Sequence, residues 1–308
     1  TGGNFLVRSA QLIAEGGYLV VVMNRPSDVA DAQADTDQYR ISVKHATDIL
    51  ELVRRVNGDN LPVILAGTSR GALSVVANNL IATGIHISSP VTSGTASQLY
   101  VGVTGVPNLQ ASYVKRPTHV LWHQMDLCSV SLPDSGTIPN NDAIPSSLSL
   151  FNTLALATNL GSNATSATAT GGVRVTTASA TVEVNVCGAF DYHGFLGIEP
   201  TVVAADLAVL DALVASLSGT APKASSGTVY TSVGATKQIN LTNFTQGSTL
   251  SYDVAHTTTS RGGSVAVSGG TVTYVPPSGV SGSDYFVYVT TDVNGNVRSE
   301  IVTVVIGN

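Results

Sequence analysis

A chain of 308 residues is long enough for two domains, each able to bury a core of its own. Only 11% of the residues are charged against 43% hydrophobic, and the net charge is −6, so no basic patch recommends nucleic acid as a partner. No apolar run reaches the roughly 18 residues that a membrane span requires.

Plentiful Ser, Thr, Gly and Ala with scarce lysine suit a secreted, periplasmic or cell-surface bacterial protein. The sequence opens at Thr1 with no initiator methionine and no signal-peptide pattern, as expected of a chain that begins after processing or trimming or of a sequence without its earlier residues. Two cysteines, Cys128 and Cys187, leave none over. In an exported protein they read as one disulfide, closing a loop of about sixty residues and contributing roughly 4 kcal/mol if unstrained. Two buried free thiols are the alternative. Neither cysteine has a C-x-x-C partner or a histidine at ligand spacing, which argues against a metal there.

In chain order, Asn4 to Glu15 carries Phe5, Leu6, Ala10 and Ile13 on one helical face, and Gly16-Gly17 ends it. Tyr18 to Met23 is a continuous apolar run and predicts a strand. Tyr39 to Val56 predicts a longer helix, with Ile41, Ile49, Leu52, Val53 and Val56 apolar. Pro62 to Ala66 predicts a buried strand, Ala72 to Thr83 a helix, and Ile85 to Ser88, His119 to His123 and Thr181 to Val186 further strands. Pro200 to Leu217 closes the region as a helix. Apolar strands alternating with helices predict an α/β domain over residues 1–218, its mostly parallel sheet covered by helices on both faces.

Residues 219–227 have the Ser, Gly, Ala and Pro content of a linker. Over 228–308 helical periodicity disappears. Thr228–Val233, Lys237–Leu241, Leu250–Val254, Ser264–Val267, Thr271–Val275, Asp284–Thr291 and Glu300–Ile306 read as short strands punctuated by Gly, Pro and Asn. That spacing predicts a small all-β immunoglobulin-like sandwich, its core built on side chains such as Tyr252, Tyr274, Tyr285, Phe286 and Tyr288.

Chemistry concentrates at Gly67-Thr68-Ser69-Arg70-Gly71, a G-x-S-x-G between a strand and a helix. Such a turn exposes the serine hydroxyl at the sheet edge, small flanking residues let strand and helix approach, and the helix start offers N–H groups to an oxyanion. An ordinary βα turn with a capping Ser or Thr is the plainer reading. A serine nucleophile needs a base to take its proton and a carboxylate to orient that base. Asp126 lies just past the His119 strand, and His193 follows the Thr181 strand. Cys128 is two residues beyond Asp126 and Cys187 six before His193, so their disulfide would tie together the loops that hold acid and base.

Other polar residues compete. His45 sits within a helix and reads as a packing or capping residue. His119 and His123 fall on one side of a strand, where a structural role outweighs metal binding. Asp191 is an alternative acid, two residues before His193. Asp28, Asp31, Asp35 and Asp37 read as a solvated acidic loop, with a cation site as the alternative. Asp292-Val293-Asn294-Gly295-Asn296 has the look of a calcium-loop fragment but reads first as a hairpin turn.

Four separated pieces in order, Asn4-Phe5-Leu6-Val7-Arg8-Ser9, Gly67-Thr68-Ser69-Arg70-Gly71, Asp126-Leu127-Cys128 and His193-Gly194-Phe195-Leu196-Gly197-Ile198-Glu199, resemble the α/β-hydrolase superfamily. More narrowly they resemble a bacterial group of exported hydrolases, over roughly residues 1–218. The resemblance implies Ser69 as nucleophile, Asp126 as acid and His193 as base. It implies an oxyanion hole with the Arg70 N–H as one donor. In the superfamily a strand and a Gly-rich loop precede the first helix, and this sequence starts at Thr1-Gly2-Gly3 directly before it, so the second donor is expected from Gly2 or Gly3, or from residues upstream. The tail, with Tyr274-Val275-Pro276-Pro277 and Gly282-Ser283-Asp284-Tyr285-Phe286, is similar to bacterial Ig-like or cadherin-like repeats, which serve attachment or spacing. The expectation is a secreted serine hydrolase that cleaves a small-molecule or polymeric carboxylic ester, without metal or organic cofactor. The alternative is a cell-surface or assembly protein whose hydrolase-like domain is structural and whose tail adheres or self-associates.

Overall fold

The structure, a computed structural model, describes residues 4–30, 36–57, 61–90, 114–126, 128, 164–172, 192–217 and 219–307. Along the chain these form α1 (Phe5–Arg8), α2 (Ala10–Glu15), α3 (Asp37–Arg40), α4 (Val43–Val56), β1 (Ile64–Thr68), α5 (Gly71–Ala77), β2 (Gly84–Ser88), β3 (Thr118–His123), β4 (Ala164–Ala169) and α6 (Glu199–Ser216). There follow β5 (Lys223–Ala224), β6 (Gly227–Ser232), β7 (Lys237–Asn240), β8 (Thr245–Gln246), β9 (Ser251–Val254), β10 (Ser264–Ser268), β11 (Thr271–Val275), β12 (Gly282–Thr291) and β13 (Val297–Gly307). Two compact units result. One takes Thr1–Asn24, Ile64–Ala77 and Gly84–Ala215, the other Arg25–Val63, Asn78–Thr83 and Ser216–Asn308.

The first unit is mixed α/β around a four-stranded parallel sheet in the order β1-β2-β3-β4. β2 and β3 are buried along their whole length, as strands covered on both faces must be. Register aligns Ala66, His86, His119 and Thr165 in one row and Gly67, Ile87, Val120 and Ser166 in the next. Successive rows face opposite sides of a sheet. A Cβ on Gly67 would meet Val75 of α5, and one on Gly84 would meet Leu213 of α6, so these helices cover opposite faces. A cluster of Phe5, Leu121, Phe195, Val202 and Val203 ties α1, β3 and α6 together.

Several expected elements differ. The helix over Asn4 to Glu15 breaks at Ser9 into α1 and α2, with Asn4 capping the first through its acceptance of the Leu6 N–H at 3.0 Å. The helix over Tyr39 to Val56 breaks at Ile41, because the Ser42 hydroxyl accepts the His45 N–H and starts α4 afresh. The helix after Ser69 stops at Ala77, and a 3₁₀ turn follows at Asn79–Ile81. Tyr18 to Met23 forms no strand: among the described residues nothing pairs with it, and Leu19 and Val22 are exposed. The Thr181 strand lies outside the described residues. β4, in Ala164-Thr165-Ser166-Ala167-Thr168-Ala169, was not expected.

In the second unit the sheet β6-β13-β12-β9 faces the sheet β10-β11-β7, with a short β5-β8 ladder beside them. All seven expected strands form. Residues 219–227, expected as a linker, contribute β5 and the first residue of β6. Alternate residues point inward: Phe286 and Tyr288 from β12, Val302, Val304 and Ile306 from β13, Val272 and Tyr274 from β11. Tyr252 packs only partly against this core, and Tyr285 alternates to the opposite face from Phe286. The buried Tyr288 hydroxyl donates to Ser225 O at 2.9 Å, and the Tyr274 hydroxyl donates to Asp284 Oδ2 at 2.9 Å. α4 lies against β12 and β13.

Candidate active site

Ser69 follows β1 with φ +56°, a left-handed conformation that a non-glycine residue adopts at a cost. The strand is anchored on both sides of it. Thr68 Oγ1 lies 2.7 Å from Ser88 Oγ, and the Ser69 N–H donates to Ser88 O at 2.9 Å. The chain then turns at once into α5. A Cβ on Gly67 would stand 2.3 Å from Gly71 O and 2.7 Å from Val75 Cγ2, so strand and helix touch through that missing atom. Gly71 differs from expectation: nothing lies within 4 Å of its own Cβ position. Ser69 is partly exposed and Arg70 fully so, at the head of the helix. Gly3, the expected second oxyanion donor, lies outside the described residues.

Asp126 and His193 come together. His193 Nδ1 is 2.9 Å from Asp126 Oδ2, and both residues are buried. The second carboxylate oxygen accepts the Cys128 N–H at 2.9 Å, which fixes the plane of the acid. With Nδ1–H donated to Asp126, Nε2 is the basic nitrogen. Among the described residues no hydrogen bond joins the Ser69 hydroxyl to the ring. Cys128 is disulfide-bonded. Cys187, its expected partner, and Asp191, the alternative acid, lie outside the described residues.

The His193 loop is braced by residues that the sequence reading quoted without a role. Arg8 Nη2 donates to Gly194 O at 2.7 Å and to Glu199 Oε1 at 2.8 Å, and Arg8 Nε donates to Glu199 Oε1 at 3.1 Å. Glu199 Oε2 in turn accepts the Gly197 N–H at 2.8 Å. Phe195, wholly buried with φ +56°, packs its ring 4.8 Å from that of Phe5. Sequence reasoning missed this brace because Arg8 and Glu199 are far apart in the chain.

The competing residues have structural partners. His123 accepts the Met125 N–H at Nδ1 and donates from Nε2 to Gly171 O at 2.7 Å, so it links β3 to the end of β4. The His45 ring packs against Tyr39, and burial pushes its pKa down to about 4. Of the acidic residues expected in a solvated loop, Asp28 pairs with Lys44, Asp37 is instead buried at the start of α3, and Asp31 and Asp35 lie outside the described residues. Asp292 spends its carboxylate on the N–H groups of Asn294 and Asn296 and the Asn296 side chain, as a hairpin turn requires.

His86, unremarked in the sequence, lies beside His119, their rings 5.5 Å apart, with Asp206 of α6 next to both. Burial pushes the His86 pKa down.

Among the described residues no helix is long and apolar enough to cross a membrane. A search of the curated proteins finds no match to the chain. Among solved structures, the chain is similar to a nucleoside hydrolase-related protein from Saccharophagus degradans associated with carbohydrate metabolism, at 12% identity over 85% of this chain and 75% of that one, with a TM-score of 0.25. It is also similar to an endo-fucoidan hydrolase of glycoside hydrolase family 107, at 10% identity over 95% of this chain and 62% of that one, with a TM-score of 0.24. Scores this low carry no argument about fold or chemistry. The C-terminal sandwich is a different matter: residues 219–305 match the bacterial Ig domain family, and this part of the chain is a bacterial Ig domain.

Proposed function

We propose that the protein is a serine hydrolase acting on carboxylic esters, with an α/β-hydrolase-type domain over residues 1–218. The observation that carries this reading is the buried His193–Asp126 pair, 2.9 Å between Nδ1 and Oδ2, in a unit whose first sheet strand is followed directly by a serine held at φ +56°. A histidine oriented by a carboxylate presents Nε2 as a base, and a serine on a strained strand-to-helix turn is the group such a base serves.

In this mechanism Ser69 Oγ attacks the acyl carbon while His193 Nε2 takes its proton. Asp126 holds the imidazole and stabilises the imidazolium. The tetrahedral oxyanion is met by the Arg70 N–H and by a second donor for which Gly3 is the candidate. Collapse releases the alcohol, protonated by His193, and leaves Ser69 acylated. A water molecule activated by the same histidine then hydrolyses the acyl-enzyme. The contact between Ser69 and His193 forms in the substrate complex, as catalytic hydrogen bonds do when they tighten on binding. A Cys128–Cys187 bridge would hold the acid loop to the base loop. No metal or organic cofactor enters these steps.

A bacterial Ig domain on the same chain supports export, with attachment to a cell surface or a polymeric substrate as its part. Hydrolysis of p-nitrophenyl acetate by the full chain tests the proposal. Ser69→Ala lowers kcat/KM by at least about a thousandfold if the assignment holds; unchanged turnover overturns it.

A further inference from the structure

We propose that His86, His119 and Asp206 form a binding site for a divalent transition-metal ion between the parallel sheet and α6. The sequence reading expected no metal, and this site uses none of the residues placed in the hydrolytic machinery.

The backbone builds the site. Register puts His86 of β2, His119 of β3 and Thr165 of β4 in one row on the face covered by α6, and Asp206 lies in the second turn of that helix. All three candidate ligands are buried, with relative exposures of 2%, 3% and 7%. Their ligand atoms all lie within 4.8 Å of one another. His119 Nε2 is 3.3 Å from Asp206 Oδ1, and His86 Nε2 is 3.6 Å from Asp206 Oδ2. Bonds of about 2.0–2.2 Å at tetrahedral angles place neighbouring ligand atoms roughly 3.3–3.6 Å apart; each imidazole stands that far from one of the two Asp206 oxygens, so an ion held by both oxygens of the carboxylate fits between the rings.

Hydrogen bonding points the same way. Neither His–Asp approach makes a hydrogen bond, and His86 Nδ1, His86 Nε2, His119 Nε2 and Asp206 Oδ1 are buried without a partner. Three of these atoms, His86 Nε2, His119 Nε2 and Asp206 Oδ1, converge in one place and call for a ligand, since buried polar groups in native proteins are ordinarily satisfied. Each neutral imidazole could aim its own N–H at a separate carboxylate oxygen, yet neither approach has hydrogen-bond geometry; one cation between them serves both rings and the carboxylate. His119 Nδ1 lies 2.9 Å from Thr165 Oγ1, a hydroxyl able to accept its N–H and so leave Nε2 for the metal. Two imidazoles and one carboxylate suit zinc or a neighbouring first-row ion rather than calcium or magnesium.

The test is calorimetric titration of Zn²⁺ into untagged, chelator-stripped full chain, with Co²⁺ as a spectroscopic probe. The site predicts one equivalent of Zn²⁺ bound with micromolar or tighter affinity, a visible d–d band with Co²⁺, and a loss of affinity of at least about tenfold in Asp206→Asn and in His119→Gln. Circular dichroism shows whether each variant folds. Where a variant does not fold, the wild-type Co²⁺ band decides, since a band of tetrahedral intensity requires a built, low-coordinate site and does not arise from octahedral aqueous or loosely surface-bound Co²⁺. Absence of saturable binding, absence of that band, or undiminished affinity in a folded variant overturns the proposal.

Discussion

Gly67→Ala puts the strand-to-helix turn under direct test. The added Cβ would stand 2.3 Å from Gly71 O, 2.5 Å from Gly71 C and 2.7 Å from Val75 Cγ2, where ordinary contact begins at 3.4 Å. Two of these three atoms are backbone, so no rotamer change relieves the clash and the turn itself must open by roughly 1 Å. Overpacking costs about 1–3 kcal/mol, and the top of that range applies here. Gly71→Ala is the internal control: nothing lies within 4 Å of its Cβ position, and an alanine in the first turn of α5 gains up to about 0.5 kcal/mol of helix propensity. The assay is urea unfolding followed by tryptophan fluorescence. The chain has one tryptophan, and Trp122 is buried in β3 of the same unit, so the signal reports on that unit. With a urea dependence of about 3 kcal/mol per M, Gly67→Ala lowers the midpoint by roughly 1 M while Gly71→Ala leaves it in place or raises it slightly. An unchanged midpoint in Gly67→Ala, or equal losses in both variants, would show that close strand–helix contact at Gly67 does not hold the turn.

Three further outcomes are expected. Arg8→Lys lowers kcat of ester hydrolysis about tenfold with little change in KM, because a lysine cannot hold Gly194 O and Glu199 together as the guanidinium does; a wild-type kcat would show that the brace does not position His193. Asp284→Asn destabilises the Ig domain by about 3 kcal/mol, read as faster hydrogen exchange along β12, since the carboxylate accepts from Ser260, Tyr274, Arg261 N and Tyr285 N. Burial pushes that carboxyl up, but the hydrogen bonds from Thr259, Ser260, Tyr274 and Arg261 together hold it below the ordinary value. Its contribution is therefore complete above the unfolded carboxylate range, near pH 4, and is lost as pH falls through the lower folded value. Burial pushes His45 and His256 down to about 4 from 6.5. The unfolded chain takes up these protons first as pH falls, so the second unit loses stability between about pH 6.5 and 4 and keeps it above that window. Hydrogen exchange in β12 and β13 measures this, and a His45→Gln/His256→Gln double variant with the same pH slope would contradict it.

The parts of the fold that could be read from sequence were those whose signal is local. The Ig strands alternate cleanly, and β1, β2 and β3 are apolar runs next to turn residues. Tyr18 to Met23 shows the limit of that signal. Its composition is that of a strand, but a strand exists only where a neighbour supplies the ladder, and none of the described residues does so. β4 fails in the opposite direction: Ala-Thr-Ser-Ala-Thr-Ala has little apolar character, and its pairing with β3 makes it a strand. The break before α4 comes from a local bond, the Ser42 hydroxyl accepting the His45 N–H, that overrides a continuous helical face. At the site, chain order was enough to nominate Asp126 and His193, which the structure brings together. The Arg8–Glu199 brace and the His86–His119–Asp206 cluster could not be read that way, since each joins residues that only the folded sheet and its helices make neighbours.

Reaction of the full chain with a fluorophosphonate, followed by peptide mass spectrometry, tests whether Ser69 is a nucleophile activated by His193. A single adduct is expected on Ser69, formed rapidly in the wild type and at least about a hundredfold more slowly in His193→Ala. No adduct at Ser69, or an adduct formed equally fast without His193, would contradict that role.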